Sequence, residues 1–371
     1  MCCHLPLDGK LGGAKVYLET AASYKRLGHK VELYGYEEIA GRKHNLSEGE
    51  KLKTYPYQLK KFILERENEF DLIEYEYKFL PFERSVFSSD IKMVARSTLL
   101  IHHLRDIGLP HFKTLRGLAS RLFKQHTINN EMKKQISDAT YCLAQADYIN
   151  VPNPSDKKIL ISFGLIESSI VVSPYGITQE RISELKSGVD KITCKKIAFI
   201  GTFDKRKGCV EFPFIVETIC QLYPQITFKF IGTKGMFQTK EAVENHFPAP
   251  LRSNIEVIPS FDPKDLGELL SDCKLGIFPS HLESFGFSLI ELYAAGLPTP
   301  CYEVPGPDML SPGELLVPRG HAKALSAKLI KLLTDHDFYE DMLEKSFSVV
   351  KEYNWDDQSQ KALDFYEQRL S

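Results

Sequence analysis

Short apolar runs alternate with longer segments of helical period along the whole chain, a pattern that predicts a parallel sheet with crossover helices rather than a bundle or sandwich. In the first half, Gly12 and Gly13 precede a helix expected from Ala14 to Leu27, Gly28 ends it, and Val31 to Tyr34 reads as the next strand, giving a βαβ unit. Further strands are expected at Leu72–Tyr75, Ile91–Arg96 and Tyr148–Val151, with helices near 57–69 and 114–145. The second half repeats the pattern: Lys196–Ile200, Thr227–Ile231, Ile255–Ile258, Leu275–Phe278 and Thr299–Tyr302 read as five strands, each leading through a loop to a helix. The tail is helical over Ala322–Leu333 and again over Met342–Leu370, with a kink at Asn354-Trp355-Asp356. Only Met1 to Leu5 precede Pro6, so the first strand is expected to be clipped.

A chain of 371 residues exceeds what one core usually accommodates, so two domains of roughly 170 to 190 residues are expected. The breakers at Pro152-Asn153-Pro154 and Ser173-Pro174-Tyr175-Gly176 put the junction between 172 and 192, dividing the chain into 1–175 and 176–355. Hydrophobic content of 43% with 26% charge is that of an ordinary globular protein, and no apolar run approaches the roughly 20 residues of a spanning helix. A formal net charge of −2 argues against a general nucleic-acid binder. The eight cysteines form no Cys-x-x-Cys and no cluster with His at metal spacing, and the start MCCHLPLDGK lacks the charged and apolar regions of a secretory signal. Reduced thiols and a cytoplasmic location are the expectation.

Candidate chemistry concentrates where apolar runs end. Leu275–Phe278 is stopped by Pro279 and Ser280; Ser284 is placed to cap a helix over Phe285–Ala295, which Gly296 and Pro298 close. In a parallel sheet, ligands collect outside the carboxyl ends of the strands, and a helix N-terminus there suits a phosphate. Glu291 lies on an otherwise apolar helix, so its carboxylate either points to solvent or accepts bonds from something specific, for which the vicinal hydroxyls of a ribose are suited. The second cluster, Phe199 to Gly208, runs from a strand end into the cations Lys205, Arg206 and Lys207, which either are solvated or neutralise a leaving diphosphate. A third turn, Gly232-Thr233-Lys234-Gly235, follows the strand ending at Ile231. The one Asp-x-Asp, Asp335-His336-Asp337, falls in the tail away from these strand ends, so no metal and no other cofactor is expected, and any phosphate charge falls to Lys207, Arg206 and helix N-termini.

The segment 278–298 resembles the signature of retaining glycosyltransferases of the family-four type, in which a Glu, seven further residues and a second Glu flank a Phe-Gly turn, as Glu283, Ser284, Phe285, Gly286, Phe287 and Glu291 do. The resemblance implies an α/β fold of the GT-B kind, two Rossmann-like domains facing across a cleft. It also implies that the C-terminal helix, about 356–371, crosses back onto the first domain. In that family the first Glu faces the donor sugar, the second binds the ribose, and the main chain around Phe285–Ser288 holds the diphosphate. Lys207 matches the family's Lys-Gly element, while Thr202 stands where an Arg is usual and Arg206 is the substitute. The resemblance further places Gly232 and Lys234 at the base and ribose, Gly13 at the donor phosphate or acceptor, and Thr98 or His102 near the sugar. The loop Val304-Pro305-Gly306-Pro307-Asp308 departs from the family's Gly-Gly-x-x-Glu.

Between Lys92 and Lys134 nine Lys or Arg face two acids, Asp106 and Glu131. With Leu115, Leu118, Leu122 and Phe123 interleaved at helical spacing, the segment 92–134 reads either as an amphipathic surface for an anionic membrane or as solvated charge over a core stripe. The combined expectation is a metal-independent retaining transferase at the cytoplasmic side of a membrane. It would move a sugar from a nucleotide-diphosphate sugar to a saccharide or lipid-linked acceptor in polysaccharide, lipopolysaccharide or glycolipid synthesis. The alternatives are a nucleotide-sugar epimerase and a non-catalytic nucleotide-sugar binding subunit.

Overall fold

The structure, a computed structural model, describes residues 1–9, 11–41, 47–107, 118–186, 188 and 190–370. The chain divides into two compact units, Met1–Tyr175 together with Trp355–Ser371, and Gly176–Asn354.

The sheet of the first unit is parallel, in the order β1 (Leu72–Glu76), β2 (Lys92–Arg96), β3 (Tyr148–Val151) and β4 (Ile170–Val172). Met1–Cys3 extends it: the Cys2 N–H donates to Glu74 O at 2.8 Å and the Cys3 N–H to Tyr34 O at 2.8 Å. The expected strand Val31–Tyr34 is therefore reduced to a bridge at Tyr34, held by backbone bonds to Met1 and Cys3 without a regular ladder. The helix expected near 57–69 begins nine residues earlier, at Glu48. Ser47 and Glu50 form a capping box ahead of it, and Pro56, which resembles a helix start, lies in its interior.

Strand alternation places Glu74 and Glu76 on one face of β1, and both are buried. The Arg96 guanidinium meets Glu74 at 2.9 Å, Tyr24 and Tyr366 donate their hydroxyls to the same carboxylate, and Asn150 donates to Tyr366. Burial pulls the Glu74 pKa up, but Arg96 outweighs it and holds the carboxyl below its usual range. Because Tyr366 lies on the helix Trp355–Leu370, this network ties the last helix to the first sheet; the same helix packs on Gly12–Arg26, with Arg26 and Asp356 in contact at 2.6 Å.

The second unit has β5 (Lys196–Ile200), β6 (Thr227–Ile231), β7 (Ile255–Ile258), β8 (Cys273–Gly276), β9 (Cys301–Glu303) and β10 (Leu316–Pro318). The first four form a parallel sheet in the order β7-β6-β5-β8, and β9 pairs with β10. The expected strand Leu275–Phe278 is shifted back by two residues. Ile277 still donates to Ala198 O on one side, but Phe278 turns to bridge Cys301 on the other. The three-residue strands β4 and β10 were not anticipated from the sequence, each being too short to show alternation. Phe199, Phe203, Phe212, Phe230 and Phe247 pack edge to face and tilted, with Phe203 and Phe212 stacked, ring centroids 4.8 to 5.9 Å apart, and fill the core beneath the β5 and β6 ends. Among the described residues no helix is long and apolar enough to cross a membrane.

Candidate active site

Three loops of the second unit meet beyond the C-terminal ends of β5, β6 and β8. Leaving β5, the chain turns at Gly201, and the Phe203 N–H reaches across to Thr233 O at 3.0 Å. Asp204 then organises the cationic turn, accepting from the Lys207 N–H at 3.0 Å and from Thr202 Oγ1 at 2.6 Å. The turn closes at Gly208, whose φ of +85° and missing side chain admit the Pro279 carbonyl; a Cβ would lie 2.4 Å from that oxygen. Next to it the His281 N–H donates to Arg206 O at 2.7 Å, and the His281 ring meets Glu211 at 2.8 Å. Two loops far apart in sequence are thus pinned backbone to backbone.

Their pinning brings three charges together. Lys207 Nζ lies 2.5 Å from Glu283 Oε1, and Arg206 Nη1 lies 3.3 Å from the same oxygen and 3.1 Å from Leu282 O. Lys207 and Glu283 are each only 8% exposed. Burial and the neighbouring Arg206 pull the Lys207 pKa down, with Glu283 opposing them. The ammonium also sits 5.1 Å over the Phe278 ring.

The helix after Glu283 differs from expectation at its start. It runs Phe287–Ala294, its cap is Gly286 at φ +102°, and no side chain caps it, so the assignment of that role to Ser284 is corrected. A left-handed residue at 286 cannot continue a right-handed helix backward to Phe285. Phe285 instead lies against Gly306, where a Cβ would be 2.6 Å from its carbonyl oxygen. The departing loop Val304–Asp308 is therefore a wall of this turn.

Glu291 is buried, and the carboxylate does not point freely to solvent: Arg181 Nε donates to Oε1 at 2.9 Å. Arg181 was missed at the sequence level because nothing in the helix Gln179–Leu185 marks an arginine whose partner lies 110 positions on. Gly232, at φ +75°, packs against the Phe261 ring, the exposed Lys234 donates its N–H to Pro259 O, and Gly235 abuts Thr202.

Several expectations for the first unit change. Gly13 lies in the first turn of a helix that starts at Gly12 rather than Ala14, and a Cβ on it would meet Leu5 at 3.0 Å. His102 is a core residue, wholly buried, bonded to Thr140 Oγ1 at 2.9 Å and set edge-on to Phe163; burial, then His103 and Arg105, push its pKa down to about 4. Arg96 leaves the basic segment as well, being buried against Glu74, while Lys113 and Arg116 and the side chains of Arg121 and Lys124 lie outside the described residues.

Thr98 donates its hydroxyl to Glu76 at 2.8 Å, and burial raises the Glu76 pKa from near 4.5 to about 7 despite Lys78 and Thr98. This has a pH signature. Below the ordinary carboxyl range both folded and unfolded chains hold the proton, whereas between there and about 7 only the folded chain does, so stability falls as pH rises through that window. Glu76→Gln removes this dependence and should gain about 3 kcal/mol on the wild type between pH 4.5 and 7. Denaturant titrations read on Trp355, the single tryptophan and part of the first unit, measure it; parallel pH profiles for the two proteins would refute it.

Residues 183–349 match the family described as Glycosyl transferases group 1. Over 274 residues the chain is 21% identical to the serotype-specific mannosyltransferase WbdA of Escherichia coli, covering 71% of this chain and 32% of that one. The chain spans less than a third of the length of the curated relatives it matches. Among solved structures, sucrose-phosphate synthase of Thermosynechococcus elongatus superimposes with a TM-score of 0.71 at 16% identity, over 94% of this chain and 91% of that one. HepE of Anabaena, in complex with UDP, gives 0.69 at 14% identity over 99% of both chains. The fold is that of the GT-B class. The residues that match the group 1 family, 183–349, lie in the second unit.

Proposed function

We propose that the protein is a retaining glycosyltransferase that moves a sugar from a nucleotide-diphosphate sugar to an acceptor hydroxyl in the synthesis of a cell-surface polysaccharide. The observation that carries this reading is the meeting of Lys207, Arg206 and Glu283 at the strand ends of the unit that matches the group 1 family. A diphosphate leaving group needs positive charge as its bond to the sugar lengthens, and buried cations deliver more of it than solvated ones. Lys207 and Arg206 supply that charge, joined by the main chain at Phe287, where the helix Phe287–Ala294 begins. Glu283 faces the donor sugar and holds the two cations in place. Glu291 takes the ribose hydroxyls, and the turn Gly232–Gly235 with Thr202 lines the nucleoside. Ser284, Phe285 and Gly286 shape the diphosphate turn.

In this reading the leaving diphosphate takes the proton of the attacking hydroxyl on the same face of the sugar, so no protein nucleophile is required and configuration is retained. No metal enters the step. The acceptor, a saccharide or a lipid-linked glycan at the inner face of a membrane, is met by the first unit, where Gly13 and Thr98 lie at the sheet's carboxyl edge. The relatives named mannosyltransferase and the UDP complex of HepE support the substrate class without fixing the sugar or the base.

The test is nucleotide release from a panel of nucleotide-diphosphate sugars, with and without a saccharide acceptor, in the presence of EDTA. Acceptor-dependent release that survives EDTA, with a product of unchanged anomeric configuration by NMR, is expected. Release without acceptor and an isomerised sugar would indicate an epimerase, and activity restored only by magnesium or manganese would overturn the metal-free step.

A further inference from the structure

We infer that Arg181 is the positioning residue that aims Glu291 at a nucleoside's vicinal hydroxyls and so sets a preference for ribonucleotide donors. The inference rests on the donor reading of Glu291 proposed above.

Arg181 sits in the first turn of Gln179–Leu185, where Thr178 Oγ1 caps its N–H. Its planar guanidinium joins three segments: Nε donates to Glu291 Oε1 at 2.9 Å, Nη1 to Pro263 O at 2.6 Å in the loop after β7, and Nη1 also to Glu184 at 2.9 Å. The side chains of Arg181 and Glu291 are 12% and 11% exposed. The helix that carries Arg181 has no room to slide. Gly267 packs directly on its Glu184 carbonyl, and a Cβ there would come within 2.1 Å of that oxygen.

This geometry decides what Glu291 can do. A carboxylate buried without a partner would take up a proton or rotate toward water, and either change costs it the ability to accept two hydroxyl donors. Burial on its own would lower the Arg181 pKa, yet Glu291 and then Glu184 outweigh it and raise it. The guanidinium is held by Pro263 O and Glu184, so its Nε meets Glu291 Oε1 along one fixed direction, which a lysine, as a point charge, does not impose. A plain structural ion pair is a poor explanation, because apolar residues would fill a helix contact at no desolvation cost. Arg181 also anchors Pro263, and the loop it belongs to carries the Phe261 ring that packs on Gly232, so one side chain sets two walls of the nucleoside region.

The experiment measures Kd by calorimetry on the full chain. ADP, GDP, CDP and UDP are screened, and the tightest is compared with its 2′,3′-dideoxy counterpart and with inorganic pyrophosphate, in the wild type and in Arg181→Met, Arg181→Lys and Glu291→Gln. The wild type should prefer the ribonucleotide at least tenfold. Arg181→Met should lose about tenfold for the ribonucleotide with little change for the dideoxy form or pyrophosphate, and Arg181→Lys should fall between. Unchanged preference in Arg181→Met, or an equal loss for all three ligands, overturns the inference. If Arg181→Met does not fold, Arg181→Lys decides: a full wild-type preference in it refutes the role. Preference kept in Glu291→Gln refutes the ribose reading itself, as does a wild type that binds no nucleotide or binds both forms alike; loss in Glu291→Gln alone refutes only the role of Arg181.

Discussion

Lys207→Met is expected to lower kcat about a thousandfold, near 4 kcal/mol of transition-state stabilisation, while the protein still folds. Methionine matches the length and much of the shape of the lysine stem, so the site keeps its packing against Phe278 and loses one charge. Glu283 is then left with Arg206, 3.3 Å away and more exposed, which compensates part of the buried carboxylate's cost. The loss should fall on kcat more than on KM, because charge accumulates on the diphosphate only as the sugar bond breaks. A competing explanation makes Lys207 no more than the counter-ion of Glu283. The double variant Lys207→Met/Glu283→Gln separates the two: if the lysine only neutralises the carboxylate, removing both should restore activity. A single variant with wild-type kcat at saturating donor, or a double variant with restored kcat, would end the proposed role.

The second unit was the more legible half because its chemistry lies at strand ends that announce themselves. β5, β6 and β7 occupy the predicted residues, each an apolar run bounded by a breaker, and the acids and cations follow directly. What the sequence could not convey was pairing. Lys207 and Glu283 are 76 positions apart and Arg181 and Glu291 are 110 apart, so their contacts depend on how loops pack, through glycines at 208, 267 and 306. The misplaced helix start has a local cause that could have been weighed: a glycine between two phenylalanines is better suited to a left-handed cap than to a helix interior. In the first unit, Glu74, Glu76 and Arg96 break the apolar pattern of strands that are nonetheless buried. Polar residues in a core strand look like surface until their partners Tyr24, Thr98 and Tyr366 are seen. The histidine at 102 is ambiguous for the converse reason, since a titratable ring near a strand end suggests chemistry while this one is buried with its Nε2 on Thr140.

Gly208→Ala tests whether the pinning of the two loops, rather than the charges alone, makes the site. The residue has φ +85°, which costs an alanine about 1 to 2 kcal/mol. Its new Cβ would also stand 2.4 Å from Pro279 O and 2.7 Å from the proline ring, neither of which is a flexible side-chain end. Relieving that overlap adds about 1 to 3 kcal/mol, so a total loss of about 2 to 5 kcal/mol is expected, a fall in Tm of about 10 °C for a unit of this size. Gly28→Ala supplies the control, with a similar φ of +97° and nothing within 4 Å of the added carbon, and should cost only the conformational part. The two substitutions should differ in activity still more than in stability. Separating Pro279 from Gly208 moves Glu283 and the His281 N–H away from Arg206 and Lys207, so Gly208→Ala should lose donor binding at temperatures where it remains folded. Calorimetric melting combined with nucleotide affinity measures both effects. Equal losses in the two variants would mean that the positive φ, and not the close approach of the loops, is what the site requires at this position.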